Sequence, residues 1–445
     1  MNKSYGRTGL LSRSDEALLA DDMPQVKAHS VLLVDPVSSG NQFTPALRKL
    51  GLRTILLDTP AALAAGFRGA PSAPDALDFD RDFSGDLFRL RDYCLQQNVG
   101  YVVAGCESSI EVCEPLRSLL PRCPQNSPEK PSRRWDKFDM MTALADAGVP
   151  HLHTARVFTM EDFDNQVDAF AKSPKLIVKP ARGAASVDVT MVDSIEAARN
   201  AVALMLTRPG FFGDQVAALV QRFYPGDEYI VDTFSHEGTH EVISACVYQK
   251  ALRGGAFVYE RAVWVGPDDE NFSSLVNYSY RVLDALGVQN GSSHMEIMMG
   301  SAGPRLIDFG ARPVGAGIPQ MTFHLTGNSQ IHAESAYVKS VCDSSMRGSF
   351  TGVGDYRLGM RGAIVTFNIE RPGTFIAEDP ERELRSIDGV VDVTIAATHG
   401  RSYPATRSLV DTFKLGNAFV AADTTRELDR ICARVNRTVD SWFRY

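Results

Sequence analysis

Two carboxylates and a guanidinium are the first residues whose spacing suggests chemistry. In "SHMEIMMGSAGPRLIDFGARP", Glu296 and Asp308 fall on either side of a short turn at Ser301–Pro304, and Arg312 follows four residues after Asp308. On paired antiparallel strands, two such carboxylates can face one side and share cations. Hard oxygen ligands suit Mg2+, which typically takes one or two carboxylates together with nucleotide phosphates. The Arg312 fork suits a phosphate or a carboxylate. The competing reading is a surface hairpin with ordinary charges. Against it stands the apolar setting of Asp308, between Ile307 and Phe309. Lys179 in "LIVKPARGAASVD" ends an apolar run and precedes a Gly/Ala/Ser loop, whose backbone N–H groups can approach phosphate oxygens. This is not a Walker loop, since G-x-x-x-x-G-K-[ST] is absent. A short flexible loop explains it equally well on its own. "LVQRFYPGDEYIVD" adds a strand, a turn and an acid, a set able to line a flat cleft for a base and a ribose.

A further pattern points elsewhere. His236, Glu237 and His240 in "SHEGTHEV" spell H-E-x-x-H, the zinc signature of metalloproteases. That chemistry needs a helix, which puts the two imidazoles on one face. The flanks "EYIVDTF" and "EVISACVYQ" are β-branched and aromatic, and read as strands. Glu237–Gly238 then reads as the tip of a hairpin, with both His in solvent.

The elements that must position these residues alternate. "SVLLVDP" (30–36), "RTILLD" (53–58) and "VGYVVAG" (99–105) read as buried strands, with "TPALRKLG" and "LFRLRDYCLQQN" as helices between them. Such alternation implies an open parallel sheet. "PRCPQNSPEKPS" (121–132) clusters four prolines and reads as a linker. "WDKFDMMTALADAG" has helical spacing of Trp135, Phe138, Met141 and Ala145, stopped at Gly148. "FSSLVNYSYRVLDALGV" (272–288) reads as an amphipathic helix, and the last 90 or so residues as a small α+β unit.

Composition narrows the function classes. The chain has 445 residues, enough for about three domains. Its 46 basic residues against 54 acidic ones give a net charge of −8, with no basic tract, which speaks against nucleic acid as a partner. Seven cysteines without a C-x-x-C spacing suggest reduced thiols and a cytoplasmic setting. No apolar run approaches 18 residues, so no membrane span is expected. The first 25 residues lack the apolar core of a signal peptide, and residues 1–29 are expected to form a tail or a short surface helix.

Taken in order, these segments resemble the ATP-grasp superfamily of carboxylate–amine ligases, from about residue 30 to 440. The β-α-β unit with "VAGCESSIEV" is similar to the family's first domain. "WDKFDMMTALADAGVP" looks like its D-K-x-x-x-x…G-[VI]-P helix, and "IVKPARGAASVDV" like its K-P-x-x-G-x-x-S-x-x-V loop. "LVQRFYPGDEYIVD" resembles the nucleotide hinge, and "HMEIMM…LIDFGARPVGAG" the metal hairpin with its Arg. The resemblance implies an α/β fold in three parts, after a tail at 1–29. These are an open parallel sheet domain at 30–130, an ATP-grasp core of two α+β subdomains clasping ATP at 131–350 with its lid at about 155–222, and a small C-terminal α+β unit at 351–445. It places "SHEGTH" on the hairpin after the hinge, away from the metal.

The same resemblance implies roles. Lys137 and Lys179 would hold the α- and β-phosphates, and the loop with Ser186 would cover the β/γ end. Gln221 and the backbone near Phe223 would meet the adenine edge, Met298 would pack on its face, and Glu228 would take the ribose hydroxyls. Glu296 and Asp308 would bind two Mg2+ ions, with Mn2+ as an alternative. Arg312 would stabilise the transferred phosphate and the tetrahedral intermediate. His294 and Glu260 are candidates to orient the amine, with a structural role for His294 as the competing reading, and Gly315 lies on the substrate side. Asp308 stands where Glu is usual, Gly310 where many members have Asn, and Gln221 where Glu is usual. "RPVGAG" resembles the branch that joins amino acids into dipeptides. The implied reaction joins a carboxylate, expected to be an amino acid, to an amine, expected to be a second one, through an acyl phosphate. The expected partners are these small molecules and a second copy of the chain in a homodimer. The alternatives are a carboxylase-type or purine-pathway member using bicarbonate or formate, and a non-catalytic nucleotide-binding protein.

Overall fold

The computed structural model describes residues 30–66, 76–184, 187–213, 217–253, 256–346, 348–407 and 409–445. The tail expected at 1–29 and Ser186 lie outside them. The first four strands among the described residues are β1 (Ser30–Val34), β2 (Arg53–Asp58), β3 (Leu77–Asp78) and β4 (Val99–Ala104), in the order β3-β2-β1-β4. All pairs are parallel. Every residue of β1 is buried, as a strand covered on both faces requires. The carboxyl ends of β1 and β4 release two loops side by side, at 35–42 and 105–109. These loops pack so closely that a Cβ on Gly105 would come within 2.4 Å of the Asp35 carbonyl oxygen.

The proline-rich segment at 121–132 is not a loose linker. Asn126 is buried, accepts the Gln289 and Asn290 N–H groups at 2.8 and 2.9 Å, and donates to Glu114 at 2.9 Å. Arg134, also buried, pairs with Glu114 and donates to the Leu286 carbonyl at 3.0 Å. The prolines exclude regular structure, but the polar residues bolt the first domain to the core.

An antiparallel sheet of order β5-β8-β6-β7 follows, made of β5 (Thr154–Val157), β6 (Leu176–Pro180), β7 (Thr190–Val192) and β8 (Ala218–Arg222). It has its own core, including Val157, Phe170, Val178 and Val202. The main sheet has eight strands in the order β13-β12-β9-β10-β11-β14-β18-β16. These are β9 (Asp227–His236), β10 (Thr239–Arg253), β11 (Ala256–Trp264), β12 (Gly291–Gly300), β13 (Gly303–Gly310), β14 (Arg361–Thr366), β16 (Val390–Ile395) and β18 (Gly416–Ala422). A third, small sheet joins β17 (Ser402–Tyr403), β15 (Gly373–Phe375) and β19 (Phe443–Arg444). The C-terminal segment therefore keeps its own apolar cluster but lends three strands to the main sheet.

Helix Phe272–Leu286 covers one face of that sheet. Its buried residues Leu275, Tyr278, Ser279, Val282, Leu283 and Leu286 follow the i, i+3, i+4, i+7 spacing that the sequence predicts. Gly287, at φ 67°, ends it. Helix Lys137–Asp146 packs into the same cluster, with Asp136 capping its start. Trp135 precedes this helix and only borders the cluster. On the opposite face, Ile230, Cys246 and Trp264 meet helix Ile318–Thr326.

The H-E-x-x-H stretch is a hairpin tip: β9 ends at His236, β10 begins at Thr239, and Glu237 and Gly238 take positive φ. The expectation of solvated imidazoles is corrected. His236 sits 5.0 Å from the Phe350 ring and 3.3 Å from Glu241, whereas His240 bonds Ser235 Oγ through Nδ1 and Asp284 through Nε2. The two rings engage different partners on different elements, so they do not converge on a cation.

Candidate active site

Alternation along strands selects the cleft residues. On β12, His294, Glu296 and Met298 share one face, while Met295 and Ile297 point into the core. They lie in register with Asp232, Ile230 and Glu228 of β9. On the other side, Glu296 is directly opposite Asp308 and His294 opposite Gly310. The register then shifts, because Ile307 is an extra residue between the pairs 296–308 and 297–306. A bulge leaves the extra residue out of the ladder. Its carbonyl instead accepts Lys179 Nζ at 3.0 Å, across from the other sheet.

Lys137 completes the cluster. Its Nζ lies 3.1 Å from Asp308 Oδ2 and donates to the Gly183 carbonyl at 3.0 Å. Its backbone N–H bonds the Ala181 carbonyl. The start of that helix thus fixes the loop after β6. Arg182 of the same loop pairs with Glu111 of the first domain, so the loop bridges two parts of the molecule.

Arg312 Nε donates to Glu107 at 2.9 Å, and Glu107 stands just beyond β4. Gly310 makes room for this pair: a Cβ there would approach Glu107 Oε2 to 2.7 Å. The missing side chain at 310 is thus matched by a carboxylate from another domain.

The charges are tuned by burial and by each other. Burial pushes Lys179 down to about 8, against the pull of Asp308. Lys137 is also penalised by burial, but Asp308 and Glu107 raise it above the usual lysine range. Burial disfavours charge on Glu296, yet His294 beside it, with Lys250 and Lys137, holds it at about 2. His294 resists burial through its 2.8 Å bond to Asp232 and the nearby Glu296, and rises to about 9. Its Nε2 lies 3.8 Å from Glu296, an ion-pair separation. Near neutral pH this imidazole is therefore a cation that donates, able to orient Glu296 but not to take a proton from an amine. Burial raises Glu107, with Arg312 opposing. Burial likewise raises Glu228, with Lys250 opposing.

The remaining expected residues are less central. Gln221 is buried on β8 with its amide bonded to Thr154 Oγ1 at 2.8 Å, and the Phe223 N–H bonds the Lys175 carbonyl. Met298 is half-buried opposite Glu228. Gly315 lies under Ser38, in a loop whose Ala316 N–H also bonds Ser38 Oγ at 3.1 Å. Glu260 is the outlier. It sits on β11, three strands from β12, at a bulge where its carbonyl accepts Thr366, so it does not join the Arg312 group. Sequence reasoning missed Glu107, Asp232 and Lys250. Only Glu107 carried a signal, as an acid at the carboxyl end of a buried parallel strand, where such sheets form their sites.

Residues 172–319 match the family model of the ATP-grasp domain. The chain carries an ATP-grasp domain. The ATP-grasp match spans β6 through the loop after Arg312, so it includes Lys179, Glu296, Asp308 and Arg312. Among curated proteins, the chain is 26% identical over 372 residues to dapdiamide A synthase of Enterobacter agglomerans, covering 82% of this chain and 85% of that one. Among solved structures, it is similar to an L-amino acid ligase from Bacillus licheniformis. The TM-score is 0.68 and the identity 18%, over 94% of this chain and 98% of that one. It is also similar to N5-carboxyaminoimidazole ribonucleotide synthetase from Thermus thermophilus, with TM-score 0.62, 16% identity, and 92% and 98% coverage. The fold shared with these two structures therefore extends over nearly the whole of the chain. No helix among the described residues is long and apolar enough to cross a membrane.

Proposed function

We propose that this ATP-grasp ligase joins the carboxylate of an amino acid to the amine of a second amino acid, through an acyl phosphate, releasing ADP and phosphate. The observation that carries the reading is the meeting of Lys137, Lys179, Glu296, Asp308 and Arg312 where two sheets come together. A carboxylate is a poor electrophile because its leaving group would be oxide. Phosphorylation supplies phosphate as the leaving group, and positioned charges supply most of the catalysis. Lys137 and Lys179 neutralise the nucleotide phosphates. Arg312, held by Glu107, meets the transferred phosphoryl group and then the oxyanion formed when the amine attacks. Glu228 accepts the ribose hydroxyls, and Met298 lines the adenine face. The loop around Ala181 and Gly183 excludes water that would hydrolyse the acyl phosphate.

The donor set fits Mg2+. Among the described residues no group of three or more His, Cys, Asp or Glu can hold a metal by itself. Glu296 and Asp308 alone face each other, as expected for an ion that shares its shell with phosphate oxygens and water. Bound there, Mg2+ would neutralise the developing phosphate charge.

Likeness to dapdiamide A synthase and to an L-amino acid ligase supports an amino-acid substrate. Likeness to the carboxyaminoimidazole ribonucleotide synthetase supports a second reading, a carboxylating enzyme. A phosphate-release screen over pairs of amino acids, with bicarbonate as control, separates them. Release that needs two amino acids supports the ligase, and release with bicarbonate alone overturns it.

A further inference from the structure

Asp35, at the carboxyl end of β1, is fully buried and has no part in the site so far. Its Oδ1 accepts the Thr59 N–H at 2.7 Å, and its Oδ2 accepts Thr59 Oγ1 at 2.7 Å and Ser108 Oγ at 2.6 Å. All three donors are neutral. Burial raises its pKa to about 6, with Ser108 and Thr59 opposing, so near neutral pH a charge stays in the interior. Keeping a charge there is costly, and only its hydrogen bonds offset the cost. Asp35 is also held at φ 47°, and Ser38 of the same loop at φ 53°, a left-handed backbone that side chains disfavour.

Two loops diverge from this carboxylate and meet again on one segment. Loop 35–42 begins at Asp35, and its Ser38 and Ser39 hydroxyls accept the N–H groups of Ala316 and Gly317 at 3.1 and 3.3 Å. Loop 105–109 is tied to Asp35 by Ser108, and its Glu107 accepts Arg312 Nε at 2.9 Å. Ala316 is left-handed too, at φ 57°. Backbone strain of this kind persists only where the surroundings over-determine it. The stretch from Arg312 to Gly317 is gripped at both ends by loops that share one anchor. We propose that Asp35 is a positioning residue for Arg312, fixing from inside the first domain where the guanidinium stands, an inference that rests on the role proposed for Arg312. With no exposed surface, Asp35 cannot itself touch substrate.

ADP release with a productive substrate pair, and ADP affinity by calorimetry with Mg2+, can be measured on the full chain and its variants. Ser108→Ala removes the tie between Asp35 and the loop of Glu107. It should lower kcat by roughly tenfold, the lower end of what a bond to a charged group supplies. KM for ATP and ADP affinity should stay within about twofold, because Lys137 and Lys179 are untouched. Thr59→Val removes the other hydroxyl, which also caps helix Pro60–Ala64, and keeps the backbone N–H bond. It should lower the unfolding temperature but hold kcat within about threefold. Asp35→Asn should hold kcat within about fivefold, since the amide oxygen can accept the Thr59 N–H and the amino group can donate to both hydroxyls. Ser108→Ala combined with Glu107→Gln should be no more than about threefold below Glu107→Gln alone, because both release one contact. Should Ser108→Ala fail to fold by circular dichroism, Ser108→Cys, a weak donor, replaces it. Unchanged kcat in Ser108→Ala, or losses that multiply in the double variant, overturn the inference and leave the ligase reading standing. So does an equal kcat loss in Thr59→Val, or ADP affinity that falls as far as kcat, since either marks a general support of the fold. No ADP release by the wild-type chain with any substrate pair overturns both.

Discussion

Gly310→Ala tests the pairing of Glu107 with Arg312. Gly310 is not in the left-handed region, so glycine is needed for space rather than for conformation. The added methyl carbon would lie 2.7 Å from Glu107 Oε2 and 3.1 Å from Arg312 Nε. Ordinary contact needs several tenths of an ångström more, and the carboxylate is the end of a flexible side chain, so it retreats while the backbone stays. The 2.9 Å bond to Arg312 is then lost. A hydrogen bond between charged groups is worth about 1.5–3 kcal/mol. If Arg312 must hold its place in the transition state, turnover falls by roughly ten- to a hundredfold. Thermal unfolding should shift by only a few degrees, because no core contact is removed. The assay is ADP release with a productive substrate pair. Glu107→Gln should lose a similar factor, and the double variant should be little worse than either single one, because both break one interaction. Full activity in Gly310→Ala, or losses that multiply in the double variant, would refute the pairing as the reason for glycine at 310.

Glu296→Ala and Asp308→Ala should each abolish ligation while keeping a native circular dichroism spectrum, since neither fills the core; wild-type turnover in either would remove the metal assignment. Changing His236 and His240 together to Asn should leave turnover near wild type but lower stability in urea by about 1–3 kcal/mol, because each ring bonds and packs against its neighbours. A stability change within about 0.5 kcal/mol would instead mark both as surface groups. ADP affinity should be steady below pH 7 and fall as pH rises through about 8, where buried Lys179 loses its proton and with it the charge that attracts phosphate. Lys179→Met should show weak binding without that fall.

Local patterns made much of this molecule legible in the sequence. The apolar runs of β1 and β4, the spacing of Leu275, Val282 and Leu286, and the turn between β12 and β13 all act over a few residues. The turn put Glu296 and Asp308 on facing strands, but their direct opposition depends on the bulge at Ile307, which no local pattern showed. What else stayed hidden depends on pairs far apart in the chain. Glu107 and Arg312 are 205 residues apart, and only the docking of the first domain onto β13 brings them together. Lys250 meets Glu228 because β9, β10 and β11 lie side by side with a bulge at Gln249–Lys250. The anchoring of the proline-rich linker stayed hidden for the same reason, since Asn126 and the nearby Arg134 find partners only in the folded core. His236 and His240 read as solvated because turn residues usually are, whereas Phe350 and Asp284 come from elsewhere to cover them.

Trapping with hydroxylamine tests the central claim most directly. The protein would be incubated with ATP, Mg2+, a carboxylate substrate and hydroxylamine, and the products read by chromatography and mass spectrometry. The account predicts the hydroxamate of that carboxylate together with ADP and phosphate, and no ADP when the carboxylate is omitted. Release of AMP and pyrophosphate with the hydroxamate would mark an adenylating ligase and contradict it.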